Sequence, residues 1–150
     1  MNFFPIARDG SVPNFSLPLP DEVLPVLRIF AAMYDQSPYL PPWIGYIATD
    51  LGHPVGTCAF KSAPSNRRTE IAYFTFTGFT GRGYATAMAK YLIELARQQD
   101  PSVTITAQTL PTPGASTRIL QKVGFALQGV VQHPEDGPVW EWHYVCCQPN

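Results

Sequence analysis

The residues best placed to do chemistry lie in one run, Phe74–Thr86, FTFTGFTGRGYAT. An aromatic, β-branched stretch breaks there into three glycines, Gly78, Gly81 and Gly83, and apolar residues at helical spacing follow at once. A strand that turns through glycine straight into a helix leaves backbone N–H groups unpaired. It also aims the positive end of the helix dipole at the same spot. Glycine lets an anion approach that backbone with no Cβ in the way. The segment reads as a phosphate or pyrophosphate site. A turn that needs glycine only for its own tightness is the other reading of the same letters.

Three signatures can be tested against it. A Walker A loop requires G-x-x-x-x-G-K-[ST]. Gly78 and Gly83 keep the spacing, but Tyr84 and Ala85 stand where the lysine and hydroxyl belong, which argues against triphosphate hydrolysis. A dinucleotide fingerprint requires G-x-G-x-x-G and an acid at the end of the next strand. Here Thr86 replaces the third glycine and the strand ends in Thr109. Arg82-Gly83-Tyr84-Ala85 opens like an RNA-recognition signature. Thr86, Ala87 and Ala89 then break it, and the segment has a helical period.

The elements that must hold this loop follow from periodicity. Eight of the 16 prolines fall in the first 42 residues, so residues 1–20 hold no helix, only a short extended segment around Phe15–Leu17. Asp21 is placed as an N-cap for a helix with Val23, Leu24, Leu27, Phe30 and Ala31 on one face, ending before the proline loop 37–42. Strands are expected at Ile44–Thr49 and Val55–Lys61, joined as a hairpin, and at Glu70–Thr77. A helix carries Ala85, Met88, Leu92, Leu95 and Ala96 inward and stops near Asp100–Pro101. Val103–Thr109 alternates as a half-buried strand. Ala115–Val123 is a helix with Ile119, Leu120 and Val123 inward and Gly124 as its C-cap. Ala126–Gln132 and Val139–Val145 form a closing hairpin. The strand–helix–strand unit at 70–109 requires two parallel strands with a right-handed crossover, and the hairpins require antiparallel pairing elsewhere. The expected class is a mixed α/β sheet with a central parallel pair, helices on both faces and a C-terminal hairpin.

At 150 residues the chain fits one domain, 1–150, with a short N-terminal arm and helix over 1–42 and a core over 43–145. Charged residues make up only 14% against an average of about 25%, and the net charge is -1. That balance argues against disorder and against a protein built to grip phosphate backbones, so no nucleic acid partner is expected. No apolar run reaches ~18 residues, so no membrane span is expected. The N-terminus does not read as a secretory signal. Cys58, Cys146 and Cys147 form no C-x-x-C pair, and His53, His133 and His143 lack ligand spacing. A disulfide framework and a metal site are both disfavoured, and a reducing cytoplasm is expected with the three thiols inert.

Two linked stretches carry a family resemblance. TEIAYFTFTGFTGRGYATAMAKYLIELA resembles the central motif of the GNAT superfamily of acyl-CoA-dependent N-acetyltransferases, Q/R-x-x-G-x-G/A, with Thr80 in the place of Gln or Arg. TPGASTRILQKVGF is similar to the family's second motif, with Ser116 and Gly124-Phe125 matching and Pro113 where Asn is usual. The acidic hairpin HPEDGPVWEWHY also fits, and the likeness covers about residues 43–145. The branch it resembles includes ribosomal-protein-alanine acetyltransferases.

This resemblance implies acetyl-CoA as co-substrate and two splayed parallel strands that admit its pantetheine arm. The arm would bond to the backbone of Phe74, Thr75 and Phe76. The pyrophosphate would rest on Gly81, Arg82, Gly83, Tyr84, Ala85 and Thr86. Acetyl transfer needs a base to deprotonate the amine and a donor for the leaving thiolate. Glu70, expected to open the strand beside the cofactor where the family often carries an acid, is the candidate base. Ser116 is the candidate donor, because Leu120 stands where the family often has Tyr; a helix-start cap is its other reading. Tyr73 and His143 are weaker candidates. Tyr34, Tyr39, Trp43, Trp140 and Trp142 make the expected acceptor pocket aromatic, suited to a small-molecule amine or a peptide N-terminus, and a homodimer is allowed. The competing classes are a non-catalytic acyl-CoA sensor or scaffold and, on the RGYA fragment alone, an RNA-binding domain.

Overall fold

The computed structural model describes residues 1–145, so Cys146 and Cys147 lie outside the described residues. Seven strands and three helices run in the order β1 (Asn2–Pro5), α1 (Leu24–Gln36), β2 (Gly45–Asp50), β3 (His53–Phe60), β4 (Arg68–Thr75), α2 (Tyr84–Gln99), β5 (Thr104–Thr109), α3 (Ala115–Val123), β6 (Phe125–His133), β7 (Gly137–Tyr144). They form one mixed sheet in the order β1-β2-β3-β4-β5-β7-β6. The parallel pair is β4–β5, and every other pairing is antiparallel.

Helices cover both faces. Gly45 lies under the ring of Phe30, which puts α1 on that side. The next residue, Tyr46, points the other way, and its ring meets Tyr91 of α2 edge to face at 5.3 Å. The α2 stripe Met88, Ala89, Leu92, Ile93 and Ala96 is buried against the sheet together with Phe60, Ile71, Ile105 and Trp142. The helical period alone predicts most of that stripe. Leu95, expected inward, is half-buried, and Ile93 takes its place.

Four local expectations are corrected. The N-terminal strand is Asn2–Pro5, paired with β2 from Asn2↔Thr49 to Pro5↔Tyr46, and not a segment around Phe15–Leu17. An edge strand tolerates the terminal proline. Asp21 is not a cap. It lies inside a 3-10 turn, Asp21–Val23, that leads into α1. The β2–β3 turn is shorter than the gap expected between Thr49 and Val55: Leu51 and Gly52 turn the chain at φ 52° and 81°, the positive-φ pair of a type I′ hairpin. Finally, β4 starts at Arg68, so Glu70 is its third residue and not its first, and Phe76 lies beyond its end.

Candidate active site

The parallel pairing between β4 and β5 stops after three residues: Arg68↔Thr104, Thr69↔Ile105 and Glu70↔Thr106. Beyond that point β5 pairs with β7 from Thr106↔His143 to Thr109↔Trp140, and β4 stays with β3. A gap opens between Ile71–Thr75 and Ala107–Thr109. On its β3 side, Lys61 N–H donates to Glu70 O at 2.8 Å and Phe76 N–H donates to Val55 O at 2.9 Å. Alternation along the strand then turns the backbone groups of Ile71, Tyr73 and Thr75 toward the gap. Phe76 has its N–H engaged with β3, and Phe74 projects a 56% exposed ring.

Two cavities meet at this gap. A small one, about 120 Å3, is lined by Lys61, Glu70, Ala72 and Gln108 and by Tyr73, Thr109, Ser116 and Leu120. By strand alternation and register, Glu70 and Gln108 belong to the α1 face, whereas Tyr73 and Thr109 belong to the α2 face. The cavity therefore passes through the sheet. A larger cleft, about 460 Å3, opens on the α2 face. Its walls are Tyr73–Thr75, the loop at Phe79–Gly81, Gly83–Thr86 and the α3 residues Ala115, Ser116 and Ile119. Tyr73 and Ser116 border both spaces.

The glycine loop explains the shape of the cleft. Gly78, Gly81 and Gly83 have φ of 95°, 78° and 83°, and a Cβ added at any of them would meet no atom within 4 Å. The backbone conformation demands glycine, and open space lies in front of it. Gly83 is the N-cap of α2 and supplies no side-chain cap, and no acid stands in the first turn. Ala87 N–H is the first to find an intrahelical acceptor, Gly83 O at 3.1 Å. The N–H groups of Tyr84, Ala85 and Thr86 thus have no intrahelical acceptor and stand at the positive end of the helix dipole. Arg82 lies with its guanidinium carbon 5.6 Å from the Phe79 ring centre. Tyr84 donates its hydroxyl to Asp50 Oδ2 at 2.7 Å, tying the start of α2 to the β2–β3 turn.

Glu70 holds Lys61 in an ion pair, Nζ to Oε2 at 2.8 Å. Ser116 is not the helix cap. Gly114 is, with Thr117 Oγ1 accepting from Gly114 N–H and donating to Gly114 O, both at 2.9 Å. The Ser116 hydroxyl is thereby left facing the cavities. Leu120, 1% exposed, lines the small cavity with carbon alone. Burial pushes the Tyr73 phenol up to about 12, so it stays protonated across the physiological range. His143 is drawn elsewhere: Arg68 Nη2 lies 2.7 Å from His143 Nε2 and 3.2 Å from Glu141 Oε2.

The expected aromatic pocket does not assemble. Tyr34 is buried and its hydroxyl accepts from Gly45 N–H at 2.7 Å. Tyr39 donates to Ile6 O at 2.7 Å, and Trp43 packs on Phe60. Trp142 is 2% exposed and donates to Thr109 Oγ1 at 3.0 Å. Together with Trp140 it belongs to the α2 face, whereas Tyr34 stands on α1. On the α1 face the small cavity is lined by Lys61, Glu70, Ala72 and Gln108, three of the four polar. Among the described residues, no helix is long and apolar enough to cross a membrane. No group of three His, Cys, Asp or Glu side chains among them could hold a metal.

A mixed sheet that parts along its parallel pair, with an uncapped helix start facing the opening, is the framework of the acetyltransferases of the GNAT type. The chain matches the family model "Acetyltransferase (GNAT) domain" over residues 3–126 and belongs to that family. Among solved structures it resembles aminoglycoside acetyltransferase AAC(6')-Ib in complex with coenzyme A, at 27% identity and a TM-score of 0.57, covering 66% of this chain and 64% of that one. It also resembles a ribosomal-protein-alanine N-acetyltransferase from Brucella melitensis (19%, TM-score 0.58, 68% of each chain). An IAA acetyltransferase from Bacillus cereus matches more of the length at lower identity (13%, TM-score 0.66, 95% of this chain and 97% of that one). The last two likenesses are of fold. The match to RimL, a ribosomal L7/L12 alpha-N-protein acetyltransferase, spans only 59% of that protein. No curated protein matches the sequence.

Proposed function

We propose that the protein is an N-acyltransferase that moves an acetyl group from acetyl-CoA directly to a primary amine of a small molecule or a peptide N-terminus. The observation that carries this reading is the passage through the sheet, with Glu70 at one mouth and the uncapped start of α2 beside the other. The open space before Gly81 and Gly83 fits a pyrophosphate, which Tyr84, Ala85 and Thr86 would hold by backbone N–H and Arg82 by charge. The unpaired edge of β4 at Ile71, Tyr73 and Thr75 would bond the pantetheine amides, with Phe74 contributing apolar surface. Bound there, acetyl-CoA supplies the activated thioester.

The protein's own groups then divide the work by face. Glu70 receives the amine's proton on the α1 face. Tyr73 and Ser116 present hydroxyls to the sulfur on the α2 face, and Tyr73 is much the stronger acid of the two. An amine with pKa ~8 costs about 1.4 kcal/mol to neutralise at pH 7, against roughly 4–5 kcal/mol for one near 10.4, so an α-amine needs less from the base. The polar rim at Gln108 suits hydrogen bonds to an acceptor better than stacking. The buried, free Cys58 agrees with work in the cytoplasm. A cleft of this kind would also serve a binder without turnover. Incubation of the purified chain with acetyl-CoA and a panel of amines, read by free-thiol release and product mass, tests the proposal. Binding without thiol release across the panel would favour a sensor.

A further inference from the structure

Lys61 is the residue after β3, and two bonds tie it to Glu70. Its N–H donates to Glu70 O at 2.8 Å, and its Nζ lies 2.8 Å from Glu70 Oε2. Its side chain is 48% exposed, so the ion pair is free to open. Lys61 also lines the cavity that runs through the gap, together with Tyr73 and Ser116, which border the cofactor cleft as well. An ammonium thus stands at the carboxylate assigned to deprotonate an acceptor, within a space of about 120 Å3 that shares Tyr73 and Ser116 with the larger cleft. The chain's other two lysines, Lys90 and Lys122, lie in a groove between α2 and α3, away from the gap.

We infer that Lys61 is itself an acceptor and that the protein acetylates its own Lys61 Nζ. The inference rests on the acyltransferase reading above. Glu70 takes one proton from the ammonium, and the freed nitrogen lone pair attacks the acetyl carbonyl carbon of the thioester. The C–N bond forms as the C–S bond breaks. The second nitrogen proton is lost as the amide forms, balancing the one the departing thiolate takes up. A neutral acetamide then replaces the cation beside Glu70, which is left without its ion partner. Holding nucleophile and base together in one molecule is the arrangement that favours such a step over reaction from solution.

The test uses the full chain, first treated with a lysine deacetylase and then given isotopically labelled acetyl-CoA, with peptide mass spectrometry at intervals. Label should appear on Lys61 about tenfold or more faster than on Lys90 and Lys122, which report adventitious chemistry. Its half-time should be unchanged on tenfold dilution of the protein at fixed acetyl-CoA. Glu70→Gln should slow Lys61 to the pace of the other two lysines, and its melting temperature with and without acetyl-CoA checks that it still folds and binds. Equal labelling of all three lysines, alongside acetylation of an added amine, would overturn the inference and leave the acyltransferase reading standing. Labelling of Lys61 that slows on dilution would overturn it in favour of transfer between copies. No thermal shift with acetyl-CoA, and no acetylation of either Lys61 or an added amine, would overturn both.

Discussion

The Tyr84 hydroxyl donates to Asp50 Oδ2 at 2.7 Å, joining the first residue of α2 to the last residue of β2 across 34 positions of sequence. The carboxylate acts on the helix start only through this phenol, which carries one of the three free amides of the loop. Asp50→Asn and Tyr84→Phe are both expected to weaken acetyl-CoA binding by roughly three- to tenfold, the scale of one polar contact, with little change in kcat. Isothermal titration of the two variants and of the double variant checks this. If the contact acts as a unit, the double variant loses no more than either single one.

Gly83 adopts φ 83°, a conformation in which an L side chain is strained whatever space surrounds it. Gly83→Ala should cost about 1–2 kcal/mol of stability in urea denaturation, and Gly83→Asn less. Saturating acetyl-CoA at a hundred times Kd should add about 2.7 kcal/mol to the wild type. That increment, measured against each variant's own unliganded midpoint, should shrink for both substitutions, because the new Cβ enters the space before the helix amides. A full increment in Gly83→Ala would move the anion site elsewhere.

Glu70→Gln keeps size and removes the carboxylate proposed as the base. A loss of about 10–1,000-fold in kcat/KM at neutral pH is expected, shrinking as pH rises and the amine arrives already neutral. Acetyl-CoA affinity should hardly move, since Glu70 faces the opposite side of the sheet from the loop. Parallel pH–rate profiles with a ratio near one throughout would reduce Glu70 to the partner of Lys61.

Tyr73 is pushed up to about 12 by burial, and Tyr34 likewise, against an ordinary value of 10.0. As a donor to the thiolate, Tyr73 should matter more than Ser116: Tyr73→Phe lowers kcat by about 10–100-fold, and Ser116→Ala by less. The same burial sets an alkaline limit. The unfolded chain loses these phenolic protons near pH 10 while the folded one keeps them to about 12. Stability conferred below pH 10 is therefore lost as pH climbs through that window. Ultraviolet titration should show these two rings ionising late, together with a falling melting temperature.

From Tyr84 onward the elements lie within a residue or two of where periodicity predicts them, because α2, β5 and α3 carry strong local signals. The glycine loop was legible for the same reason: positive φ leaves few choices of residue. β1 was not, since four residues ending in proline become a strand only through β2, more than forty positions away. The passage through the sheet was not legible either. It depends on pairing that stops after Glu70↔Thr106, a property of three strands together. The roles of Ser116 and Thr117 at the start of α3 turn on which hydroxyl reaches back to Gly114, which spacing does not decide. Spacing does not reveal that the aromatic residues fail to form one pocket, because Trp142 follows strand alternation into the core.

Among the described residues, strand pairing joins the β1–β4 half of the sheet to the β5–β7–β6 half through three residue pairs only. On the proposed reading, a chain-like guest bonds the unused β4 edge beyond them as a missing strand. Such a guest would act as a keystone, completing the sheet while it stays and leaving two panels on a short hinge when it goes. Rigidity would then be borrowed from the co-substrate and returned with every turnover, so the resting molecule is the softest form in the cycle.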